Sequence, residues 1–352
     1  MGKKRFLASL ILVSLFCVCI CGCSSGKIEN AGNAKKSDDK IQIGMCFDSF
    51  VIERWQRDRD VFVSTAKELG AEVNVQNANG DVNQQRSQIE YFIKKDMDVI
   101  VIISIDPVAI SDLVKKAQDE GIKVIAYDRP IANAGVDLYI SFDNEMVGQM
   151  MGEAFVQNGL ENGKVLMICG SLTDYNVPMV EEGFMKTMEE SGNEVLDVFY
   201  AEGWKAEAAG NYIYNYPDLV SEADAIMCGN DDLASRVVFA LSEQRLAGKK
   251  MVAGQDADLE ACQRIVEGTQ LMTVYKPIEK LAGRAAEAAI MLARGENFSE
   301  EEISEYDDGN RIVPYIKIEP LSVTADNMDD VIIKSGFHLK EDVYLNVPSQ
   351  MK

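Results

Sequence analysis

From Ile41 onward the chain repeats one pattern: a short apolar run, a turn, a segment with apolar residues at helical spacing, and another turn. Strand-like runs fall at Ile41–Met45, Ala71–Val75, Val99–Ile103 and Val124–Tyr127. Val99–Ile103 is apolar without alternation, as a strand buried on both faces requires. Between the runs, Trp55, Phe62, Ala66 and Leu69 recur at helix spacing, with Gly70 placed as a C-cap. Ile89, Phe92 and Ile93 mark a second helix, and Ile110 to Gln118, closed by Gly121, a third. The alternation restarts after about residue 144, with runs at Val165–Ile168, Val195–Tyr200, Ala225–Cys228, Met251–Ala253 and Leu271–Val274. This pattern predicts an α/β chain of two doubly wound lobes with parallel sheets. Its 352 residues also exceed the roughly 250–300 at which a single core stops growing.

In doubly wound sheets ligands bind at the carboxyl ends of strands, so the residues just after each run are the ones to inspect. Asp48 follows the first, and Arg54 opens the helix beyond it. Asp128 and Arg129 follow Tyr127; Ser141, Asp143 and Asn144 follow Ile140; Gly170, Ser171, Asp174 and Asn176 follow Ile168. Asn230, Asp231 and Asp232 follow Cys228; Gln255, Asp256 and Asp258 follow Ala253; Lys276 and Pro277 close the last. Asp accepts, Arg donates through a planar fork and Asn does both, so such a set suits the vicinal hydroxyls of a neutral polyol. Trp204, after Gly203, offers an aromatic face for the C–H side of a sugar ring. The competing explanation at each single position is that Asp or Asn merely caps the next helix.

Composition narrows the field. Fifty-seven acidic residues against 35 basic ones leave a net charge of -22, which argues against nucleic acid or an anionic membrane surface as partner. The single histidine, His338, makes a multi-histidine metal site impossible and limits any catalytic triad to that one residue. It lies in the tail, away from the strand-end cluster, and reads as structural. Trp55 reads as core, with Arg54 pointing the other way. No glycine-rich phosphate loop of the Walker or dinucleotide type is present, and nothing calls for a cofactor or a metal.

The amino terminus reads as an address. Lys3, Lys4 and Arg5 precede an apolar run of 15 residues, Phe6–Ile20, short of the about 20 that a membrane-spanning helix needs. Residues 1–22 are expected to be a signal peptide. Ile20-Cys21-Gly22-Cys23 resembles a bacterial lipobox, which makes Cys23 the expected site of diacylation and places the body outside the cytoplasm on a two-chain anchor. Residues 23–40 are a polar tether. Cys46, Cys169, Cys228 and Cys262 remain in the body without CxxC spacing and read as core thiols.

Six stretches carry a resemblance: Glu53-Arg54-Trp55-Gln56-Arg57-Asp58-Arg59-Asp60, Val75-Gln76-Asn77-Ala78-Asn79-Gly80, Ala126-Tyr127-Asp128-Arg129, Tyr139-Ile140-Ser141-Phe142-Asp143-Asn144-Glu145, Gly254-Gln255-Asp256-Ala257-Asp258 and Met272-Thr273-Val274-Tyr275-Lys276-Pro277. In this order they resemble the type I periplasmic sugar-binding proteins of ABC importers, and most closely their D-xylose-binding branch. The resemblance implies that Arg54, Asp128, Arg129, Asn176, Asn230, Asp256 and Lys276 make the polar contacts to a monosaccharide, with Trp204 stacking on it. Two stretches depart: Asp174-Tyr175-Asn176 stands where the family reads Asp-Asn-Asn, and Ser104-Ile105-Asp106-Pro107 replaces a Pro-Tyr-Asn-Gly-like loop. Both leave room for a different pentose or a hexose.

The resemblance also implies two lobes joined by a three-strand hinge, with crossings near Asp143, Pro277 and Val313. The first lobe would comprise residues 41–143 and 278–312, and the second 144–277 and 313–345. Sugar would be enclosed by hinge closure, with no bond made or broken, and presented by a monomer to an ABC permease whose ATPase is a separate chain. Three rivals belong to other classes. A glycosidase would use the Asp231/Asp232 or Asp256/Asp258 acids. A transcriptional regulator of the lactose-repressor type would need an N-terminal helix-turn-helix in place of a signal peptide. A lipoprotein presenting xylose to a membrane sensor kinase would share the same closed surface.

Overall fold

The computed structural model describes residues 40–51 and 54–351. The expected signal peptide, the lipidation site Cys23 and all of the tether but Lys40 lie outside the described residues.

The first run of elements is β1 (Gln42–Phe47), α1 (Arg54–Glu68), β2 (Glu72–Asn77), α2 (Val82–Lys94), β3 (Val99–Ile102), α3 (Ser111–Asp119), β4 (Lys123–Tyr127) and β5 (Leu138–Phe142). The second is α4 (Asn144–Gln157), β6 (Lys164–Cys169), α5 (Asn176–Glu190), β7 (Glu194–Tyr200), α6 (Ala206–Asn215), α7 (Pro217–Glu222), β8 (Ala225–Cys228), α8 (Asp231–Glu243), β9 (Met251–Gln255), α9 (Leu259–Glu267) and β10 (Met272–Tyr275). The chain then returns through α10 (Ile278–Arg294), β11 (Ser304–Asp307) and β12 (Ile312–Ile318), and ends with β13 (Leu321–Thr324) and α11 (Lys340–Val343).

Two sheets result, in the orders β2-β1-β3-β4-β5-β12-β11 and β7-β6-β8-β9-β10-β13. Five parallel strands in each follow the same doubly wound order, so the two lobes repeat in plan without a residue-level repeat. Each sheet also carries an antiparallel edge strand, β11 and β13, which the wholly parallel expectation did not include. The order reverses between β1 and β3 and between β6 and β8, and at such switch points a crevice opens at the carboxyl ends of the strands.

Helices cover both faces of each sheet. In the first lobe Phe62 and Ala66 of α1 pack with Leu281, Ala285 and Ala289 of α10 on one face. Ile89, Phe92, Ile110 and Val114 cover the other. In the second lobe Val147, Met151, Phe155 and Phe184 lie on one side, and Ile213, Val237 and Leu241 on the other. Leu69, expected on the buried stripe of α1, falls beyond the helix end and is exposed.

One boundary is corrected. The third crossing, expected near Val313, lies between Ile318 and Leu321. Ile312–Ile318 runs parallel to β5 with Tyr315 opposite Tyr139, so residues 313–318 belong to the first lobe's sheet. Packing explains why. Val313 and Tyr315 are buried in the first lobe's core, and the Tyr315 ring stacks on Tyr139 with centroids 4.3 Å apart.

All four body cysteines are buried free thiols. Burial pushes Cys46 and Cys169 up to about 12, which keeps them protonated and unreactive.

Helices α4 and α5 cross at backbone contact. A Cβ at Gly183 would overlap the carbonyl oxygen of Glu145, and one at Gly148 would overlap that of Val180. The obstructing atoms are main chain and cannot rotate away. Gly183→Ala is therefore expected to lower unfolding free energy by about 1–3 kcal/mol, the usual cost of overpacking. Urea denaturation should show this as a lower midpoint at unchanged slope.

Candidate functional site

The carboxyl ends of both sheets face one cavity of about 530 Å³, its mouth included. All eight residues singled out in the sequence line it: Arg54, Asp128, Arg129, Asn176, Trp204, Asn230, Asp256 and Lys276. The first lobe contributes the opening turn of α1 and the residues after β4; the second contributes the residues after β6, β8, β9 and β10.

Two buried guanidinium groups organise the walls. Arg54 pairs with Asp58 one turn along α1 (Nε–Oδ2 3.2 Å), with Asp128 (Nη2–Oδ2 2.7 Å) and, across the cavity, with Asp256 (Nη1–Oδ1 3.8 Å). Tyr127 donates its hydroxyl to Asp58. Arg129 pairs with Asp48 (Nη1–Oδ2 2.6 Å) and reaches the second lobe at Asp174 (Nε–Oδ2 2.8 Å). Lys276 Nζ stands 3.6 Å from Asp256 Oδ1. Burial raises the pKa of Asp48 and Asp58 in spite of their arginine partners. Burial pushes Asp128 the same way, but Arg54, Lys276 and Arg129 outweigh it and hold its carboxyl below the usual range. Both arginines are held charged by these carboxylates against the cost of burial.

The amides serve mixed roles. Asn176 Nδ2 donates to the carbonyl of Asp128 (2.9 Å), while its Oδ1 accepts from Tyr139 and Asn144 (both 3.1 Å), so it ties the lobes together from the cavity wall. Asn230 caps α8 through Oδ1 to the Leu233 amide (2.9 Å). Lining and capping thus coincide in one residue, and the two explanations offered by the sequence are not exclusive. The indole of Trp204 lies against Gly170, where a Cβ would overlap the ring. Only glycine lets the aromatic plane approach the strand end this closely.

Strain and unmet hydrogen bonding gather here. Asp128, Trp204 and Asp256 have φ of +63°, +58° and +98°, a region that residues with side chains adopt at a cost of about 1–3 kcal/mol each. Among the described residues, each buried side-chain nitrogen or oxygen without a hydrogen-bond partner belongs to a cavity residue. Three are donors or acceptors to spare: Trp55 Nε1, Trp204 Nε1 and Gln255 Oε1. The other two stand in ion pairs: Arg129 Nε with Asp174, and Asp256 Oδ1 with Arg54 and Lys276.

Sequence reasoning missed part of this wall. Trp55 is indeed buried, yet it also lines the cavity. Arg54 does not point away from it but lies over its ring at 4.5 Å, because the first turn of α1 opens directly onto the cavity. Gln255 follows a strand end as its neighbours do. Its amide nitrogen donates to the Gly229 carbonyl, which fixes the orientation and leaves Oε1 without a partner. His338 is not remote from the cluster: its Nε2 lies 2.7 Å from the carbonyl of Ala257, the residue after Asp256.

Of the acids considered for catalysis, Asp231 is buried behind the wall. It accepts from Thr273 Oγ1 (2.7 Å), Gln270 Nε2 (2.8 Å) and the Asp258 amide (3.2 Å). Among the described residues no group of three or more His, Cys, Asp or Glu is placed to hold a metal ion.

A periplasmic binding protein domain model matches residues 43–297. The chain is 42% identical over 309 residues to the D-xylose-binding periplasmic protein of Haemophilus influenzae, covering 86% of this chain and 92% of that protein. It is 41% identical over 327 residues to the Escherichia coli protein of the same description, covering 91% and 97%. Its fold is similar to that of an ABC transporter solute-binding protein from Clostridium phytofermentans solved with bound β-D-glucose. The TM-score is 0.77 at 28% identity, covering 86% of this chain and 99% of that one.

Burial pushes the Asp231 carboxyl up to about 7, so the folded chain keeps a proton there that the unfolded chain releases near pH 4. Asp231 therefore contributes a loss of stability as pH rises from about 4 to 7, with a slope of at most ~1.4 kcal/mol per pH unit. The unfolding free energy of Asp231→Asn, followed by urea titration across that window, should lack this component. A curve parallel to that of the parent protein would show Asp231 to be ionised throughout.

Proposed function

Since the chain belongs to the periplasmic binding protein family, we propose that it captures a monosaccharide, D-xylose, between its two lobes, with no bond made or broken. The observation that carries the reading is the set of spare hydrogen-bonding atoms around the cavity. Two indole donors and the Gln255 Oε1 acceptor, drawn from both lobes, have no partner within the protein. A sugar hydroxyl both donates and accepts, so a ring bearing several can meet all three. Asp128, Arg54 and Arg129 stand ionised around it, with Lys276 beside them, and hydrogen bonds to charged groups contribute about 1.5–3 kcal/mol each. The face of Trp204 offers apolar contact to the C–H side of the ring. D-xylose is favoured among sugars by the relatives at 41% and 42% identity.

The mechanism is differential binding. Contacts come from both lobes, so a ligand reaches all of them only when the cleft is shut, and it stabilises that state by the difference. Arg129–Asp174 and Asn176–Asp128 also span the lobes, so part of the closing interaction is built into the protein. In our reading Cys23 carries a lipid that holds the protein outside the cell membrane, and the closed form delivers sugar to an ABC permease. Presentation to a sensor kinase would use the same surface, and co-purification with one or the other membrane partner separates them.

Calorimetry with D-xylose, glucose, ribose and arabinose tests the assignment. We expect saturable heat with xylose; no heat with any of the four refutes the sugar reading. Arg129→Ala and Asp256→Ala should each weaken xylose binding by at least ~1.5 kcal/mol. Cys23→Ser should move the protein from the detergent phase to the aqueous phase in a phase-partition assay, and a variant that stays with detergent would remove the lipid anchor from the proposal.

A further inference from the structure

We propose that His338 is a positioning residue for the sugar site: together with Phe337 it straps the loop that carries Asp256 to the helix that carries Arg54. The inference rests on the reading of the cavity as a sugar site.

The loop needs holding. Asp256 and Ala257 are consecutive non-glycine residues at positive φ, +98° and +55°. Their amides are fixed from within the second lobe, Asp256 N to the carbonyl of Val274 (2.8 Å) and Ala257 N to Thr273 Oγ1 (3.2 Å). Ala257 is fully buried, so its carbonyl must find a partner inside the protein. That partner is His338 Nε2 at 2.7 Å; the Cys262 thiol, a weak donor, stands at 3.5 Å. A carbonyl only accepts, so Nε2 carries the proton, and both the neutral ring and the imidazolium can serve.

The neighbouring residue faces the other lobe. The Phe337 carbonyl accepts from Arg57 Nη1 at 2.8 Å, and the Arg57 guanidinium lies 4.3 Å over the Phe337 ring. Arg57 is one turn beyond Arg54 on α1. The Phe337 ring also meets Tyr275, at 4.7 Å between centroids, immediately before Lys276. The strap therefore touches the three segments bearing Arg54, Lys276 and Asp256. These are the same three groups that meet at the Asp256 carboxylate, with Nη1 at 3.8 Å and Nζ at 3.6 Å. Without the bond from His338, a buried carbonyl loses its donor and the strained loop can relax, which moves the carboxylate away from both cations.

Two readouts on the full chain test this. Hydrogen–deuterium exchange without ligand should show the 256–258 segment exchanging about tenfold faster in His338→Ala, as expected for the loss of one buried hydrogen bond. His338→Gln, whose side-chain amide can donate in place of Nε2, should restore parent-like exchange. Calorimetry with D-xylose should show the same order: about tenfold weaker binding in His338→Ala and recovery in His338→Gln. Unchanged exchange in His338→Ala overturns the positioning role whatever the ligand. Faster exchange with parent-like affinity overturns the link to the site. Should His338→Ala fail to fold, parent-like exchange and affinity in His338→Gln support the strap, and weakened values in that variant overturn it. If the parent protein gives no heat with xylose, the sugar reading fails and the exchange result alone decides the strap.

Discussion

A guanidinium taken out of water must be met by negative charge, and Arg54 is met by three carboxylates from three separate parts of the chain. Asp58 belongs to its own helix, Asp128 to the end of β4, and Asp256 to the far lobe. Burial by itself works against the ionised form of Asp58 and Asp128, and their opposite net tendencies show how finely their surroundings balance. The arrangement is reciprocal. Arg54 needs the carboxylates to be buried, and they need it to stand so close together. The first turn of α1, the exit of β4 and the exit of β9 are thereby held in one geometry. That geometry is what a ligand would meet.

Much of this was legible in the residues, for identifiable reasons. Buried parallel strands such as Val99–Ile102 announce themselves as unbroken apolar runs, and a doubly wound sheet must put its functional residues where those runs stop. All eight candidates therefore fell on the cavity wall. What escaped depended on side-chain direction or on distant pairing. Helical periodicity assigns Trp55 to the core and cannot say that the first turn opens on a cavity, so its second role was invisible. The strand Ile312–Ile318 mixes buried and exposed residues, and the pattern says that it pairs but not with which lobe. Its placement follows from Tyr315 stacking on Tyr139, a contact between residues far apart in the chain. His338 was misplaced for the same reason: its partner, Ala257, precedes it by 81 positions.

Capping and binding are often treated as alternatives for an Asp or Asn after a strand. Here the distinction dissolves. Asn230 spends one oxygen on the amide of Leu233 while its residue forms part of the wall. Asn176 commits its whole amide to Asp128, Tyr139 and Asn144 and thereby joins one lobe to the other. A residue anchored in this way cannot swing, and a rigid wall asks less conformational entropy of the ligand that settles against it.

The sheet orders have a consequence for the birth of the molecule. The five parallel strands of the second lobe all lie within residues 164–275, one uninterrupted stretch. The first lobe, although it begins with β1, is incomplete until α10, β11 and β12 have been supplied, at residue 318. The parallel core of the later lobe is therefore contiguous in the chain, whereas that of the earlier lobe is interrupted by it. A chain emerging from its amino terminus can assemble the parallel strands of the later lobe while the earlier one still lacks a helix and two strands, and only the edge strand β13 is then left to add.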